Sequence, residues 1–585
     1  MARPPRFADP AISIEQRPDG SMLLCAQGAL GDYPAHLGAV LRAWAERAPD
    51  RVFLAERTKK GGTREVTYGE AYRTARRLGA RMLDDGLGPA RPVMIVSDNS
   101  VDHALVALGA MVAGVPVVPI SAAYSLMSRD HAKLRTLHAM VHPGWVFADG
   151  DAYARAIAAL PLDPTTRVAV GLSALLEVAN SNSADVDGAL NAIGPDQVAK
   201  ILFTSGSTGA PKGVINTHRM LCSNQQALAQ GWPFLGDRPP VVVDWLPWSH
   251  TFGGNHNFNL VLWHGGTLWV DRGKPVPGRI EDTVDVLRHV SPTLYFNVPR
   301  GFDALLPYLE NDAALAETFF RDLDLLFYAA AALPRPIWDR LVRLGERTRG
   351  EAVPFVSAWG ATETSPLVTQ VHFPIDDPSI IGVPTPGTTL KLVPNGTKLE
   401  ARVKGPQVTP GYLHDADGFR AMLDDEGFYP TGDAVRLADP ANPNRGIVFD
   451  GRVSENFKLS SGTWVHTGAL RLGLIAALSP LVQDAVIAGH DRDFVAALLF
   501  PSAAASKDEG LRTKIETALR AHNARANGAT SQIVRYALIL DEPPSIDAGE
   551  ITDKGYINQR AVLDRRAAWV ECLFAADTGP DVIRT

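Results

Sequence analysis

Phe203-Thr204-Ser205-Gly206-Ser207-Thr208-Gly209-Ala210-Pro211-Lys212-Gly213 is the stretch on which the reading of this 585-residue chain turns. Three glycines and four hydroxyl side chains crowd into it, with one lysine near the end. Residues 198–203 before it read as a short buried strand, and 216–230 after it have helical character. A glycine-rich turn from strand to helix is therefore expected. Such a turn lets backbone N–H groups approach phosphate oxygens, while hydroxyls add donors and a lysine adds a point charge. It is not a Walker loop, because Lys212 stands between Pro211 and Gly213, and the spacing G-x-G-x-x-G is absent. Taken alone, the stretch has an ordinary surface loop as its alternative.

The rest of the composition narrows the class. A chain of 585 residues is too long for one core, so at least two domains are expected. With 46% apolar and 21% charged residues it reads as an ordinary globular protein. A net charge of −7 argues against nucleic acid or an anionic membrane as partner. No apolar run reaches the roughly 20 residues that span a bilayer, and residues 1–16 lack an apolar signal core, so the cytoplasm is the expected location. Cys25, Cys222 and Cys572 show no metal-ligand spacing, and a disulfide scaffold is excluded on count.

In chain order, residues 1–34 give little beyond a proline-rich start. A helix is expected over 36–47, where Leu37, Val40, Leu41 and Trp44 form one stripe. Thr67 and Glu70 have the spacing of a capping box, followed by Ala71, Ala75, Leu78 and Met82 on one face. Apolar runs at 93–96 and 115–120 flank a helix and predict a βαβ unit with a parallel sheet. Strand-like runs at 241–245, 267–270, 293–298, 325–329 and 354–358 alternate with helical stretches. From about 385 to 450 the texture changes to short strands with Gly/Pro/Asn turns. The fold class is therefore α/β: a large body of α/β subdomains with a short-stranded β region over 1–450, and a small mobile α+β lid over 451–585. Residues 450–456 form the expected linker. Ligands should gather beyond the carboxyl ends of the body strands.

Several segments, in order, resemble the adenylate-forming superfamily of acyl-CoA synthetases, amino-acid adenylation domains and luciferases. They are 204–213, Trp359-Gly360-Ala361-Thr362-Glu363, Thr431-Gly432-Asp433, Gly451-Arg452 with Lys458, and Thr552-Asp553-Lys554. The resemblance implies ATP, Mg²⁺ and CoA as cofactors and co-substrates. It places Thr204, Ser205, Gly206, Ser207, Thr208, Gly209 and Lys212 on the β- and γ-phosphates. Glu363 with Thr204 helps hold Mg²⁺, and Thr362 lies near the α-phosphate. Trp359 stands where the family usually has tyrosine beside adenine, next to Gly360, and an indole offers at least as large a stacking face. Tyr328-Ala329-Ala330-Ala331-Ala332 resembles the small-residue segment of the adenine pocket, with Ala330 and Ala331 in place of the usual glycines. Asp433 is similar to the carboxylate that takes both ribose hydroxyls, since an ionised Asp accepts two O–H bonds, and Arg452 adds a second ribose contact. Lys554 resembles the lysine that bridges the substrate carboxylate and the α-phosphate during adenylation, although Asp553 precedes it where the family has glycine. Lys458 belongs to the face that swings in for thioester formation. The hinge position is Ser454 or Glu455. Thr204, His250, Lys458 and Lys554 form the catalytic set.

For the acid, the informative stretch is Asp244-Trp245-Leu246-Pro247-Trp248-Ser249-His250-Thr251-Phe252-Gly253-Gly254-Asn255. By resemblance His250 flanks the acyl group, and Ala358 and Gly360 line it. Trp245, Trp248 and Phe252, with room left by Gly253 and Gly254, suit a flat aromatic acid. The runs 215–221 and 549–560 resemble bacterial feruloyl-CoA synthetases, which implies a hydroxycinnamate substrate. The expected partners are a small aromatic carboxylic acid, ATP and CoA, with the oligomeric state left open, a homodimer included. The alternatives are a fatty or benzoic acid, or an adenylation enzyme feeding a separate carrier protein.

Overall fold

The computed structural model describes every residue except 1–4, 59–60, 177–184, 206–210, 454–455, 503–504, 527 and 552–556. The expected α/β architecture is present. Strands Phe355–Gly360, Leu325–Tyr328, Leu294–Asn297, Val241–Asp244, Thr267–Val270 and Val52–Arg57 run parallel side by side. Their residues are apolar almost throughout, as strands covered on both faces require.

This parallel core does not end where the short-stranded texture begins. Leu367–Gln370 pairs antiparallel with Phe355–Gly360, and pairing continues through Ile380–Pro384 and Ile447–Arg452 to Tyr429–Leu437. The far edge is Ile12–Gln16 and Met22–Ala26, drawn from a segment with no clear periodic pattern. A second sheet of six strands carries Val93–Ile95, Val117–Pro119 and Val198–Ser205, the first two joined by the expected crossover helix Val101–Val112. A four-stranded sheet of Val482–Ala488, Val495–Pro501, Val534–Ile539 and Val582–Arg584 builds the smaller C-terminal unit.

Local chemistry behaves as its sequence dictates at several points. The Thr67 hydroxyl accepts from Glu70 N at 3.2 Å while the Glu70 carboxylate accepts from Thr67 N at 2.9 Å, a closed capping box. Leu37, Val40 and Leu41 are buried and Trp44 reaches Trp263 O with its indole N–H at 3.1 Å.

One expectation is corrected. The segment that follows residue 210 does not begin as a helix. Pro211–Thr217 is a strand that pairs antiparallel with Val198–Ser205, and the helix begins only at His218, capped by Thr217. The β-branched residues Val214, Ile215 and Thr217 favour the extended state, and Thr217 has better use as an N-cap.

Gly360 closes the strand Phe355–Gly360, and a Cβ built there would fall 1.6 Å from the backbone oxygen of Pro366. Gly360→Ala is expected to lower unfolding free energy by about 2–3 kcal/mol, read by urea denaturation. A loss within about 0.5 kcal/mol would show that this turn yields freely.

Candidate active site

The described ends of the glycine-rich hairpin place Lys212 opposite Thr204 and Pro211 opposite Ser205. Gly206, Ser207, Thr208 and Gly209, expected on the phosphates, lie outside the described residues, as does the side chain of Ser205. Lys212 Nζ sits 4.8 Å from the ring centroid of Tyr412. The Tyr412 hydroxyl donates to Glu363 Oε1 at 3.1 Å. One phenol ring thus gathers the hairpin lysine and the carboxylate of the Trp359–Glu363 motif. Burial, and then the charge of Glu363, push the Tyr412 hydroxyl well up, so it remains a donor. The neighbouring Thr362 is buried on the same short 3₁₀ turn as Glu363. Sequence reasoning missed Tyr412, for a single tyrosine after Pro410-Gly411 carries no signal until its partner from 49 residues away arrives.

The second corner is built by two neighbouring strands. Asp433 and Arg452 are register partners, and Arg452 Nε lies 2.9 Å from Asp433 Oδ1. Trp359 Nε1 donates to Asp433 Oδ2 at 2.9 Å. Burial raises the Asp433 pKa, while the Arg452 charge and the indole N–H hold it down. Trp359 itself is only 9% exposed and packs with Ile12, Leu24, Val368 and Ile381. Its single donor is committed to Asp433. Ala330, just past Leu325–Tyr328, is exposed and has φ +72°, the left-handed region where glycine sits without strain. Ala331 beside it is exposed as well.

On the acid side, residues 252–257 form a π-helical turn that continues into the α-helix Phe258–Trp263. His250 is buried at its entry. Phe252 and His256 project from this turn toward Phe327, with centroids 5.6 and 5.1 Å away, and His256 also meets Phe296 at 5.4 Å. Half-buried Phe252, Val298, Ala329 and Ala358 crown this cluster at the carboxyl ends of three adjacent parallel strands. His256 was not singled out in the sequence. Burial lowers its pKa to about 4, so the ring is neutral.

The room assigned to Gly253 and Gly254 is corrected. A Cβ on Gly253 would lie 2.3 Å from Leu246 O, and one on Gly254 2.3 Å from Trp248 O. The glycines admit neighbouring backbone, not an acid. Trp248 is likewise in the core, edge-on to His103 and Phe258 at 5.0 Å each, and Trp245 is buried under Lys274.

In the C-terminal unit, Lys458 is exposed, its Nζ 4.9 Å over the Trp464 ring. Lys554 and the hinge candidates Ser454 and Glu455 lie outside the described residues. The loop before Lys554 is anchored twice. Fully buried Glu550 takes Arg566 Nε at 2.6 Å, and the Ser128 hydroxyl of the body donates to Asp547 at 2.7 Å. Ile546 packs on the body core that contains Tyr124 and Leu134. Among the described residues no group of three His, Cys, Asp or Glu is placed to hold a metal, and no helix is long and apolar enough to cross a membrane.

Comparison with known proteins agrees with this geometry. Residues 41–413 match the AMP-binding enzyme family, and 459–578 match the AMP-binding enzyme C-terminal domain. The chain belongs to the AMP-binding enzymes, the adenylate-forming superfamily. Its activity is accordingly of the ATP-dependent acyl-CoA ligase or acid-adenylating kind. It is 26% identical over 454 residues to 3-[(3aS,4S,7aS)-7a-methyl-1,5-dioxo-octahydro-1H-inden-4-yl]propanoyl:CoA ligase of Rhodococcus jostii, covering 74% of this chain and 82% of that one. It is 27% identical over 465 residues to the L-proline--[L-prolyl-carrier protein] ligase of Streptomyces coelicolor, covering 73% and 80%. The anthranilate CoA ligase AuaEII, solved with anthranoyl-AMP, shares the fold with a TM-score of 0.68 at 18% identity, covering 92% of this chain and 98% of that one.

Trp359→Phe removes the indole donor and raises the already elevated Asp433 pKa further. The ionised carboxylate then carries the added cost, which vanishes once Asp433 is protonated in the folded state of both proteins. The variant should therefore lose about 1–3 kcal/mol more stability at high pH than at low pH. Denaturation of both proteins across pH 4–9 measures this, and an equal loss at every pH would contradict it.

Proposed function

We propose that the chain joins an aromatic carboxylic acid, of the hydroxycinnamate class that includes ferulate, to CoA at the expense of ATP. The acid's carboxylate oxygen attacks the α-phosphorus and pyrophosphate leaves. The CoA thiol then attacks the acyl carbon and AMP leaves. The observation that supports this most is the gathering of Lys212 and Glu363 on Tyr412, which brings charge and donors together for a phosphate. The half-buried apolar residues Phe252, Val298, Ala329 and Ala358 pack on one core cluster and would suit a flat acid. Ala330 and Ala331 follow the strand that carries Phe327.

In this reading Lys212 and the backbone of 204–209 meet the incoming triphosphate, where anion must approach anion. The donor set fits Mg²⁺, which is commonly held beside phosphates by one or two carboxylates with waters completing the shell. Glu363 and Thr204 would hold it, and bound there it would neutralise charge on the phosphates. Asp433, fixed by Trp359 and Arg452, takes the ribose diol, and Thr362 lies toward the α-phosphate. His250 stands beside the acyl group, with Trp245 and Gly360 near it. Residues 1–450 form the body and 451–585 a lid that moves between steps. Lys554 serves adenylation, where a lid-borne charge can meet charge developing only in the transition state. Lys458 serves thioester formation.

Two measurements test this. Pyrophosphate release over ferulate, coumarate, benzoate and octanoate should favour the first two by about tenfold or more in kcat/KM, with thioester formed from CoA and no carrier protein. Preference for octanoate would overturn the aromatic reading. Lys554→Ala should slow adenylation by about a thousandfold yet convert supplied acyl-AMP and CoA to thioester at the wild-type rate. Equal loss in both half-reactions would refute the division between the lysines.

A further inference from the structure

Lys200 is 5% exposed in the strand Val198–Ser205, and among the described residues no carboxylate lies within ion-pairing distance of it. The titratable groups it acts on are His103 and His218, whose cationic forms it disfavours. A buried ammonium without a partner is costly, and burial accordingly lowers its pKa to about 7. Such a residue needs a reason to be there.

Its contact supplies one. Lys200 Nζ donates to Gly254 O at 2.6 Å. Gln225 Nε2, from the helix His218–Gly231, donates to Asn255 O at 2.9 Å and to His256 O at 3.3 Å. Three successive carbonyls of the π-helical turn 252–257 thus accept from side chains outside their own helix. A π-turn carries one residue more per turn than an α-helix, and N–H donors reach five residues back, as Phe258 N does to Gly253 O. That widening disturbs the regular carbonyl pairing, and buried carbonyls must find donors elsewhere. The same turn aims Phe252 and His256 at Phe327, the wall beside which the acid is placed.

We propose that Lys200 and Gln225 are positioning residues that hold 252–257 as a π-turn, and that this turn decides which acids fit. Without them the segment relaxes to an ordinary α-helical turn. An α-helix advances about 100° per residue against about 80° in a π-helix, so the angle from Phe252 to His256 swings from about −40° to about +40° and the wall changes shape. The inference rests on the acid pocket lying beside Phe252, as proposed above.

The test uses Lys200→Met, which keeps length and loses the donor, and Gln225→Met as an independent second variant. Each is assayed for pyrophosphate release over ferulate, benzoate and octanoate. The ratio of kcat/KM between two acids should shift by about tenfold, with the KM for ATP held within about twofold. Unchanged ratios in a folded, active variant would overturn the proposal, as would a parallel rise of both KM values with the ratios intact. Crystal structures of the variants judge the turn without any activity: an α-helical 252–257 is expected, and a retained π-turn refutes the positioning role. Should wild-type protein use none of the acids, the substrate reading fails, and these structures still decide whether Lys200 and Gln225 hold the turn. If Lys200→Met does not fold, Gln225→Met is measured in the same way, and the same outcomes support or overturn the proposal.

Discussion

Asn216 is fully buried, and its side-chain amide ties together three segments from distant parts of the chain. Its oxygen accepts from Asn255 Nδ2 at 2.8 Å and from the Ser365 hydroxyl at 3.1 Å, while its nitrogen donates to Val214 O at 3.0 Å. The strand after the glycine-rich stretch, the π-turn 252–257 and the turn bearing Thr362 and Glu363 are thereby fixed to one another. In the interior such bonds are strong because the alternative, an unpaired polar group, is costly. A nucleophile and a phosphorus must meet within a few tenths of an ångström, and a shared amide transmits that tolerance better than three independent loops.

The same logic explains why so much polarity is buried around the π-turn 252–257 of an otherwise apolar body. Gln225, Asn255, His256 and Lys200 are all nearly inaccessible, yet each sends a hydrogen bond to backbone or to another side chain or packs against a ring. Apolar replacements of equal size would hold the layers together at lower cost. What they would not do is keep a helix in an unusual turn or orient a carboxylate. Asp433 makes the point at the other corner. Its burial opposes the charged form, and Arg452 and Trp359 offset part of that penalty. The aromatic that sequence reasoning puts beside the adenine also donates its indole N–H to this carboxylate.

Among the described residues, the loop 545–550 of the C-terminal unit meets the body at a few points. Asp547 takes one hydrogen bond from the Ser128 hydroxyl and one from Arg129 N, and Ile546 adds an apolar contact. By contrast, Glu550 is clamped inside its own unit by Arg565 and Arg566.

Much is legible from the chain alone, because periodicity and local chemistry are written residue by residue. The stripe on 37–47, the Thr67–Glu70 capping box, the apolar runs of the parallel sheet and the ordered motifs through Asp433 and Arg452 each depend on neighbours a few positions apart or on residue type. What the chain does not reveal depends on partners brought from far away. The pairing of Ile12–Gln16 and Met22–Ala26 into the great sheet, Tyr412 under Lys212 and Glu363, the indole of Trp359 turned to Asp433, and the π-turn held by Lys200 are all of this kind. Beyond the glycine-rich stretch, whose composition suggests a turn from strand to helix, Pro211–Thr217 instead pairs back on Val198–Ser205. Residue identity settled which chemistry was on offer. Only the packed interior, where each donor must find its acceptor out of reach of water, settled which groups would face one another.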